Sequence, residues 1–416
     1  CCHSKPGNYS IPNTVTTICE GAFYGCVNLT SIVIPDSVTS IGNEAFAACD
    51  RLRSITIPNS VVSIGSRVFK YCVKLASIAV PNSVKEIGDE AFAYCYEMES
   101  ITIPGSVEIL GANPFYACSK LSEIRVTGEG ENLKMVDCVL FFREMVRLIW
   151  CSRKKSGICE IPNTVKTIDE GVFCTCKELT SVTIPDSVTK IPGCTFSGCS
   201  GLVSVTIPCS VTFIGYRAFS GCRSLTSVII PDSATRISNA AFDGCLALTS
   251  VSIPKSISSI GKELFSCCSS LKSITIPNSV TFIREKAFYG CNSLTSISLP
   301  DSVEGIGDFA FCDCSKLTSI TIPGSLVHMG TNPFSGCRKL SEIRVVGETQ
   351  NFKIVDGVLF DKEMTRLIWC SPTKSGVYEM PSTAKSIDKT AFREHCNLTS
   401  VTISDSVTEV PSCAFN

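Results

Sequence analysis

Residues 52–72 read LRSITIPNSVVSIGSRVFKYC, and this arrangement of Leu, Ile-Pro, Val, Ile-Gly, Phe and Cys returns every 23 residues. A fixed period of roughly 20 to 50 residues is typical of repeat architectures, in which one unit cannot bury its own apolar face. Neighbouring units must therefore stack and share a continuous core. The unit starts about fifteen times, at Ile11, Ile34, Ile57, Val80, Ile103, Ile161, Ile184, Ile207, Ile230, Ile253, Ile276, Leu299, Ile322, Met380 and Ile403.

Three short segments make up each unit. Residues 29–34 (LTSIVI) have the alternation of a strand that sends every second side chain into a core, and Pro35, which lacks an N–H, ends it. Residues 38–42 (VTSIG) predict a second short strand, and residues 44–49 (EAFAAC) predict a tight corner, either a 3₁₀ or a single helical turn. The pattern therefore predicts an α/β repeat solenoid.

One aromatic position recurs in the corner of each unit. Phenylalanine is the largest apolar side chain of the repeat, so we expect it to anchor the core and to stack on its equivalent in the next coil, as Phe46 on Phe69. The position is occupied by Phe23, Phe46, Phe69, Phe92, Phe115, Phe173, Phe196, Phe219, Phe242, Phe265, Phe288, Phe311, Phe334, Phe392 and Phe415.

Thirteen of the 27 cysteines share one position of the repeat, which His395 takes once. Stacked coils place such residues about 4.8 Å apart, where a small apolar thiol fills an interior corner. Disulfides between in-register neighbours would need rotamers that break the stack, so we expect Cys49, Cys72 and Cys95 to be buried and unbridged. The position holds Cys26, Cys49, Cys72, Cys95, Cys118, Cys176, Cys199, Cys222, Cys245, Cys268, Cys291, Cys314 and Cys337.

Divergence of the repeat explains the remaining cysteines, but two functional alternatives stay open. Cys174 and Cys176, with Cys194 and Cys199 of the next coil, could offer four thiolates to a zinc ion, although their spacing matches no known zinc module. A local disulfide between Cys174 and Cys194 is the second alternative. We expect no resident metal and no cofactor.

The repeat resembles a known family. The run Leu-Thr-Ser-Ile-Thr-Ile-Pro-Asn-Ser-Val followed by Ile-Gly, Ala-Phe and Cys, seen in residues 52–72 and 271–291, is similar to the BspA-type leucine-rich repeat. The resemblance implies a right-handed leucine-rich-repeat solenoid with short parallel strands. It also implies a surface or secreted protein of host-associated bacteria or protist parasites that adheres to host cells or extracellular matrix.

Two breaks interrupt the period, and they resemble each other. Residues 122–160 and 341–379 each delay the next unit, and each follows a unit with Asn-Pro-Phe in place of Ala-Phe. We interpret each break as an inserted β-hairpin, turning at residues 142–144 or 361–363. The predicted layout is one continuous solenoid with repeat blocks at residues 1–121, 161–340 and 380–416.

The inserts carry the residue types that dominate protein contacts. Trp and Arg are enriched among contact hot spots, and the two tryptophans of the chain lie in the inserts. An alternative is that the tryptophans pack each hairpin onto the solenoid. Six insert residues are therefore candidate ligand-binding residues: Arg125, Arg147, Trp150, Arg344, Arg366 and Trp369.

The outward strand positions form a second candidate surface. Small hydroxyl side chains dominate them, which predicts a flat, uncharged face that could bind weakly over a large area. Threonine also favours solvated strands, so a purely structural explanation stays open. The candidates are Thr56, Thr102, Thr183, Thr206, Thr275 and Thr321.

Composition and motifs argue against several functions. With 37 Lys and Arg against 38 Asp and Glu, the charge gives no reason to expect nucleic acid or anionic membrane as a partner. No stretch approaches the roughly 20 apolar residues of a membrane span. The three histidines, His3, His328 and His395, have no nucleophile at repeat-related spacing, and no phosphate-binding or hydrolase motif occurs.

These observations favour a non-enzymatic scaffold at the cell surface or outside the cell, with a protein or extracellular-matrix ligand. Two further hypotheses remain. Open strand edges could drive end-to-end self-association, and the repeats could serve as an intracellular protein-interaction scaffold. A third, more distant hypothesis is that the threonine face binds ice or a crystalline glycan.

Overall fold

The computed structural model of the chain shows the predicted solenoid, with parallel strands about 23 residues apart. By their contacts the residues group into two compact units, Cys1–Leu179 with Cys194–Phe196 and Thr180–Gly193 with Ser197–Asn416. The layout as one continuous solenoid stays a prediction. The structure describes residues 7–128, 130, 132–347, 351–393, 397–412 and 414–415.

Every regular element among the described residues is a β-strand. In chain order the strands before Leu179 are β1 (Asn8–Ser10), β2 (Thr17–Ile18), β3 (Ser31–Val33), β4 (Ser40–Ile41), β5 (Ser54–Thr56), β6 (Ser63–Ile64), β7 (Ser77–Ala79), β8 (Glu86–Ile87), β9 (Ser100–Pro104), β10 (Ile109–Leu110), β11 (Glu123–Thr127), β12 (Leu133–Val136), β13 (Val139–Phe142), β14 (Arg147–Cys151), β15 (Gly157–Glu160) and β16 (Thr167–Ile168).

The remaining strands repeat the same order of elements. They are β17 (Leu179–Thr183), β18 (Lys190–Ile191), β19 (Ser204–Thr206), β20 (Phe213–Ile214), β21 (Ser227–Ile229), β22 (Arg236–Ile237), β23 (Ser250–Ser252), β24 (Ser259–Ile260), β25 (Phe282–Ile283), β26 (Ser296–Ser298), β27 (Gly305–Ile306), β28 (Ser319–Pro323), β29 (His328–Met329), β30 (Glu342–Val346), β31 (Phe352–Val355), β32 (Val358–Asp361), β33 (Arg366–Cys370), β34 (Gly376–Glu379), β35 (Ser386–Ile387) and β36 (Leu398–Thr402).

Most coils contribute one strand to each of two parallel ladders; the coil at residues 271–276 has no strand in the first, so that β24 is followed by β25 of the same ladder. In the first unit β3 pairs with β5 in register, so that Ile32 lies beside Ile55, while β4 pairs with β6 through Ile41 and Ile64. The isoleucines are buried and Ser54 and Thr56 of β5 are exposed, as the period-2 alternation predicts. We call the outward side chains of the first ladder the strand face.

The corner that follows each second strand is tight, as predicted, but it is not helical. It consists of hydrogen-bonded turns, with no helical turn in the part of the chain that the structure describes. Residues such as Glu44 and Ala48 have φ of 53° and 56°, which prevents a right-handed helical turn. Their N–H groups bond instead to the next coil, Glu44 to Ser66 at 2.8 Å and Ala48 to Lys70 at 2.8 Å.

The predicted core ladders are confirmed. The Phe46 and Phe69 rings stack with centroids 5.6 Å apart and an interplanar angle of 3°. Beside them, the thirteen cysteines of the shared repeat position, which we call the slot cysteines, are buried. Cys72 and Cys95 form no disulfide. Most of the slot cysteines donate a hydrogen bond to the phenylalanine carbonyl of the preceding coil, as from Cys72 Sγ to Phe46 O at 3.2 Å, whereas Cys176 donates to Ser152 O at 3.6 Å.

Each break contains three antiparallel strands, where the sequence predicted two. In the first, β12 pairs with β13 and β13 with β14, and β14 then joins β16 in parallel. In the second, β31, β32, β33 and β35 repeat this order. The predicted turns lie between the second and third strands, so the hairpins were correct but incomplete. We call these three-stranded inserts the meanders.

Candidate binding sites at the two meanders

An arginine of the first meander takes over hydrogen bonds that a neighbouring coil would make. In regular coils the second ladder continues through bonds such as Gly111 N–H to Ile87 O at 2.8 Å. After β10 the ladder passes to a side chain, because Arg147 donates to Leu110 O and Gly111 O, both at 2.6 Å. The guanidinium thereby closes the end of that ladder.

The same arginine holds the coil that follows the meander. Its Nε and Nη2 donate to the two carboxylate oxygens of Asp169 at 2.7 Å each, a bidentate pair. Asp169 Oδ2 also accepts from Asn113 N at 3.0 Å, and Asn113 Oδ1 accepts from Glu170 N at 2.9 Å. We call Arg147, Asp169 and Asn113 the first arginine clamp.

Asp169 stands where the four preceding coils have glycine, at Gly42, Gly65, Gly88 and Gly111. A Cβ at Gly111 would lie 2.2 Å from Asp89 N, because regular coils approach closely at this point. In the coil after the meander, the neighbouring strand is β14 of the meander and not a regular coil, and the Asp169 side chain is accommodated beside it. The change from Ile-Gly to Ile-Asp is thus a sequence signal of the clamp that the repeat pattern alone did not reveal.

The second unit contains the same clamp, formed by Arg366, Asp388 and Asn332. Arg366 Nε and Nη2 lie 2.7 and 2.8 Å from the Asp388 oxygens, but its bonds to Met329 O and Gly330 O are longer, 3.4 Å each. The hydrogen bond to Asp388 raises the pKa of Arg366. Burial raises the pKa of Asp388, and Arg366 opposes that rise.

The tryptophans lie in the core and not on the surface. Trp150 is 8% exposed and Trp369 is 7% exposed, and the Trp369 ring meets Phe334 edge-on at 6.5 Å. Each therefore extends the apolar core under its meander, which is the packing alternative. With Arg147 and Arg366 engaged in the clamps, these four candidates position the meanders and offer little surface to a partner.

The other two arginines are exposed on the strand face. Arg125 lies beside Thr102 and Arg344 beside Thr321 in the parallel register. Each forms an ion pair within its own strand, Arg125 Nε to Glu123 at 2.7 Å and Arg344 Nε to Glu342 at 2.5 Å. Of the threonine candidates, Thr102 and Thr321 are partly exposed; Thr56, Thr183, Thr206 and Thr275 are exposed.

A groove separates the second meander from the strand face. It has a volume of about 630 Å³ and lies between β30 and β31, each the last strand of its sheet among the described residues. Its apolar lining is framed by the two basic side chains. We call it the meander groove, lined by Ile343, Val345, Gly347, Phe352, Lys353, Ile354 and Lys362.

The first meander has the same residue chemistry at the equivalent positions, 219 residues earlier. Lys134 corresponds to Lys353 and Arg143 to Lys362, so both basic positions are kept, while the apolar positions hold Ile124, Val126, Leu133 and Met135. The candidates predicted from the sequence did not include these residues, because they were chosen around the tryptophans. The conserved charge at the two equivalent positions was the available signal.

A smaller apolar patch flanks the other side of each meander. Ile158 is 64% exposed and the equivalent Val377 is 67% exposed. Val377 lines a groove of about 510 Å³ with Val355 and Glu379.

The described cysteines outside the ladder form no metal site. No group of three or more His, Cys, Asp or Glu side chains suited to a metal occurs within the described ranges. Cys174 and Cys194 are thiols in this structure, and Tyr116 Oη lies 3.8 Å from Cys194 Sγ. Burial raises the pKa of Cys174 to about 11, so this thiol is a weak nucleophile at neutral pH.

The remaining sequence candidates have simple placements. His328 is exposed in β29, whereas His3 and His395 lie outside the described residues. Across the ranges that the structure describes, no helix has the length and apolar character needed to cross a membrane.

The chain belongs to the family of the BspA type leucine rich repeat region (6 copies), which matches residues 2–133, 151–269, 235–363 and 369–416. Scaffolds of this kind are typical of protein-interaction and surface proteins, and neither the family nor the similar structures are enzymes. No curated protein matches the chain.

Several solved structures are similar. A leucine-rich repeat protein from Eubacterium ventriosum is 25% identical with a TM-score of 0.57, over 84% of this chain and 86% of its own. A leucine rich cell surface protein from Faecalibacterium prausnitzii is 26% identical with a TM-score of 0.50, over 83% and 89%. A leucine-rich repeat protein from Bacteroides ovatus is 30% identical with a TM-score of 0.47, over 81% and 86%.

Proposed function

We propose that this protein is a non-enzymatic scaffold, displayed at the cell surface or secreted, that binds a protein of host cells or of the extracellular matrix. Family membership and similarity to a leucine rich cell surface protein support this function. The observation that carries the proposal is the meander groove, where the regular array stops and apolar and basic groups converge.

The groove suits an extended protein segment with acidic residues. Ile343, Val345 and Ile354 can accept an apolar side chain, while the positive charges of Lys353 and Lys362 at the rim favour a segment with acidic residues. Strands at the edges of sheets also offer main-chain groups to an added strand, a frequent mode of peptide recognition. Directional bonds from the edges and charge at the rim would together set the register of the bound segment.

The strand face adjoins this site. Arg344 and Thr321 lie on neighbouring strands beside the groove, and Arg125 and Thr102 lie on the equivalent neighbouring strands of the first unit. Hot spots usually need large or charged side chains, so we expect the threonines to add complementarity and the basic residues to supply most of the affinity. Two equivalent sites in one chain would raise the avidity for a repetitive partner.

The test reverses the charge of the groove in both copies. We expect a variant with Lys134→Glu, Arg143→Glu, Lys353→Glu and Lys362→Glu to bind cultured epithelial cells and decellularised matrix at least about tenfold more weakly than the wild type. Changing only one copy should cause a smaller loss, because the second site still binds.

A matched control carries the same charge change on regular coils, at the exposed residues Lys166, Lys190, Lys272 and Lys316. We expect this control to keep wild-type binding. Unchanged binding in the groove variant, with loss in a strand-face variant such as Thr56→Lys and Thr206→Lys, would place the site on the strand face. Equal loss in groove variant and control would show only an effect of net charge.

A further inference from the structure

Four tyrosines form a cluster on the corner of the first unit. The Tyr71 and Tyr94 rings stack with centroids 4.5 Å apart and an interplanar angle of 22°. Tyr96 and Tyr116 meet Tyr94 edge-on at 6.2 and 5.4 Å. We call Tyr71, Tyr94, Tyr96 and Tyr116 the tyrosine cluster.

Two of these tyrosines occupy a backbone position that disfavours them. Tyr71 and Tyr94 have φ of 62° and 61°, in the left-handed region where a bulky side chain is unfavourable. In most other coils the residue before the slot cysteine is small, and glycine is the commonest. The equivalent glycines, all with positive φ, are Gly25, Gly198, Gly221, Gly244, Gly290 and Gly336.

The core of the solenoid does not require these rings. Tyr71 is 41% exposed and Tyr96 is 39% exposed, while the stacked phenylalanines fill the interior without them. One face of Tyr71 is covered by Tyr94. The other lies toward the preceding coils, where Ala48 and Gly25 occupy the same column and have no side chain long enough to cover it. A strained, exposed aromatic side chain points to a binding role.

The charged groups around Tyr71, which form the polar rim of the cluster, are electrically balanced, and the further carboxylate of Glu170 interacts with Tyr116 instead. Lys70 Nζ lies 2.7 Å from Glu90 Oε2 and 5.6 Å from the centroid of the Tyr71 ring. Arg67 pairs with Glu90 at 2.9 Å and with Glu44 at 3.4 Å. The hydrogen bond from Lys70 holds the pKa of Glu90 below its usual range, so the carboxylate stays ionised and paired. The rim therefore favours neither a cation nor an anion.

We infer that the tyrosine cluster binds a neutral carbohydrate, with the C–H face of one sugar ring against the open face of Tyr71. A sugar ring presents a flat apolar face to the aromatic ring, and its hydroxyls can both donate and accept. The ammonium, guanidinium and carboxylate groups at the rim supply both kinds of partner. This site and this ligand are additional to the proposed protein-binding function.

The test uses the full chain and a substitution that removes the ring while relieving the backbone. Tyr71→Gly introduces the residue that other coils carry, so we expect the variant to fold as stably as the wild type. The probes are soluble neutral hexasaccharides of glucose, galactose, mannose and N-acetylglucosamine. A sulfated hexasaccharide and an oligoarginine peptide serve as charged comparisons.

We expect at least one neutral probe to bind, with saturation-transfer NMR strongest at its ring C–H protons. Tyr71→Gly should weaken that binding at least about tenfold, whereas Ala48→Gly, a control in the same column, should not change it. Tyr71→Phe, which keeps the ring, should bind nearly as the wild type does. Failure of every neutral probe, binding of charged probes only, or equal binding by Tyr71→Gly would overturn the inference.

Discussion

The regular coils and the two meanders meet the same requirement by different means. In a regular coil the backbone carbonyls of the second strand accept hydrogen bonds from the next coil. Gly65 N–H, for example, donates to Ile41 O at 2.8 Å, and the glycine allows the two backbones to approach. At the first meander that neighbour is missing, and the guanidinium of Arg147 satisfies Leu110 O and Gly111 O. A solenoid can therefore leave its period where side chains replace the bonds of the ladder.

The two meanders also differ from each other. The first arginine clamp reaches the preceding coil at 2.6 Å, and the second reaches it at 3.4 Å. The tight turn between the first and second strands of the meander is Asp137-Cys138 in the first copy and Asp356-Gly357 in the second. All four residues have positive φ. The two related sequences thus provide an internal comparison for the energetic value of each contact.

The largest effect should come from breaking the first clamp. We expect Arg147→Ala to lower the free energy of unfolding by about 3–5 kcal/mol, because it leaves Asp169 buried without its partner and two carbonyls without a donor. Arg366→Ala should cost less, since its carbonyl contacts are longer. Urea denaturation gives the loss, and hydrogen exchange should localise it to β10 and β16. Equal losses at both sites would contradict the distinction.

A moderate effect is expected from the cysteine ladder. Cys72→Ala should cost about 1–2 kcal/mol, because it removes a buried sulfur atom and its hydrogen bond to Phe46 O. Burial raises the pKa of Cys72, so its thiol should not react with a thiol reagent in the folded chain, whereas exposed Cys19, Cys138 and Cys209 should react first. Mass mapping after labelling measures this, and early labelling of Cys72 would refute the buried ladder.

Substitutions in the two turns should have small effects of opposite sign on the stability. Cys138 has φ of 66° and Gly357 has φ of 74° at equivalent positions. Cys138→Gly should raise the stability by about 0.5–1 kcal/mol, and Gly357→Ala should lower it by about 1 kcal/mol. Thermal denaturation of both variants is sufficient. The same sign for both would show that packing, and not the backbone, decides these turns.

Much of this fold could be predicted from the period. The position of Phe46 in the repeat predicted its stack on Phe69, and the L-x-x-I-x-I spacing predicted the buried isoleucines of β3 and β5. The corner is not helical, although its alanine-rich sequence favours a helical turn. Glu44 and Ala48 adopt positive φ and bond to the next coil, which the local sequence does not reveal. That preference arises from stacking and lies outside local sequence propensity.

The candidate sites were harder to predict. Trp150 and Arg147 are residue types typical of a contact hot spot, but at the break Trp150 is buried in the core and Arg147 donates to a carbonyl of the preceding coil. Composition cannot separate the two roles. The groove depends on the third strand of each meander, which a hydrophobic pattern of only four residues, 352–355, did not predict.

The measurement that tests the central claim most directly is a pair of double-mutant cycles in the first unit. One cycle removes Arg147 and Asp169, singly and together, and the other removes the exposed pair Arg125 and Glu123. If the clamp replaces the ladder, the first coupling energy should be about 2–3 kcal/mol and the second no more than about 0.5 kcal/mol. A first coupling as small as the second would contradict the account.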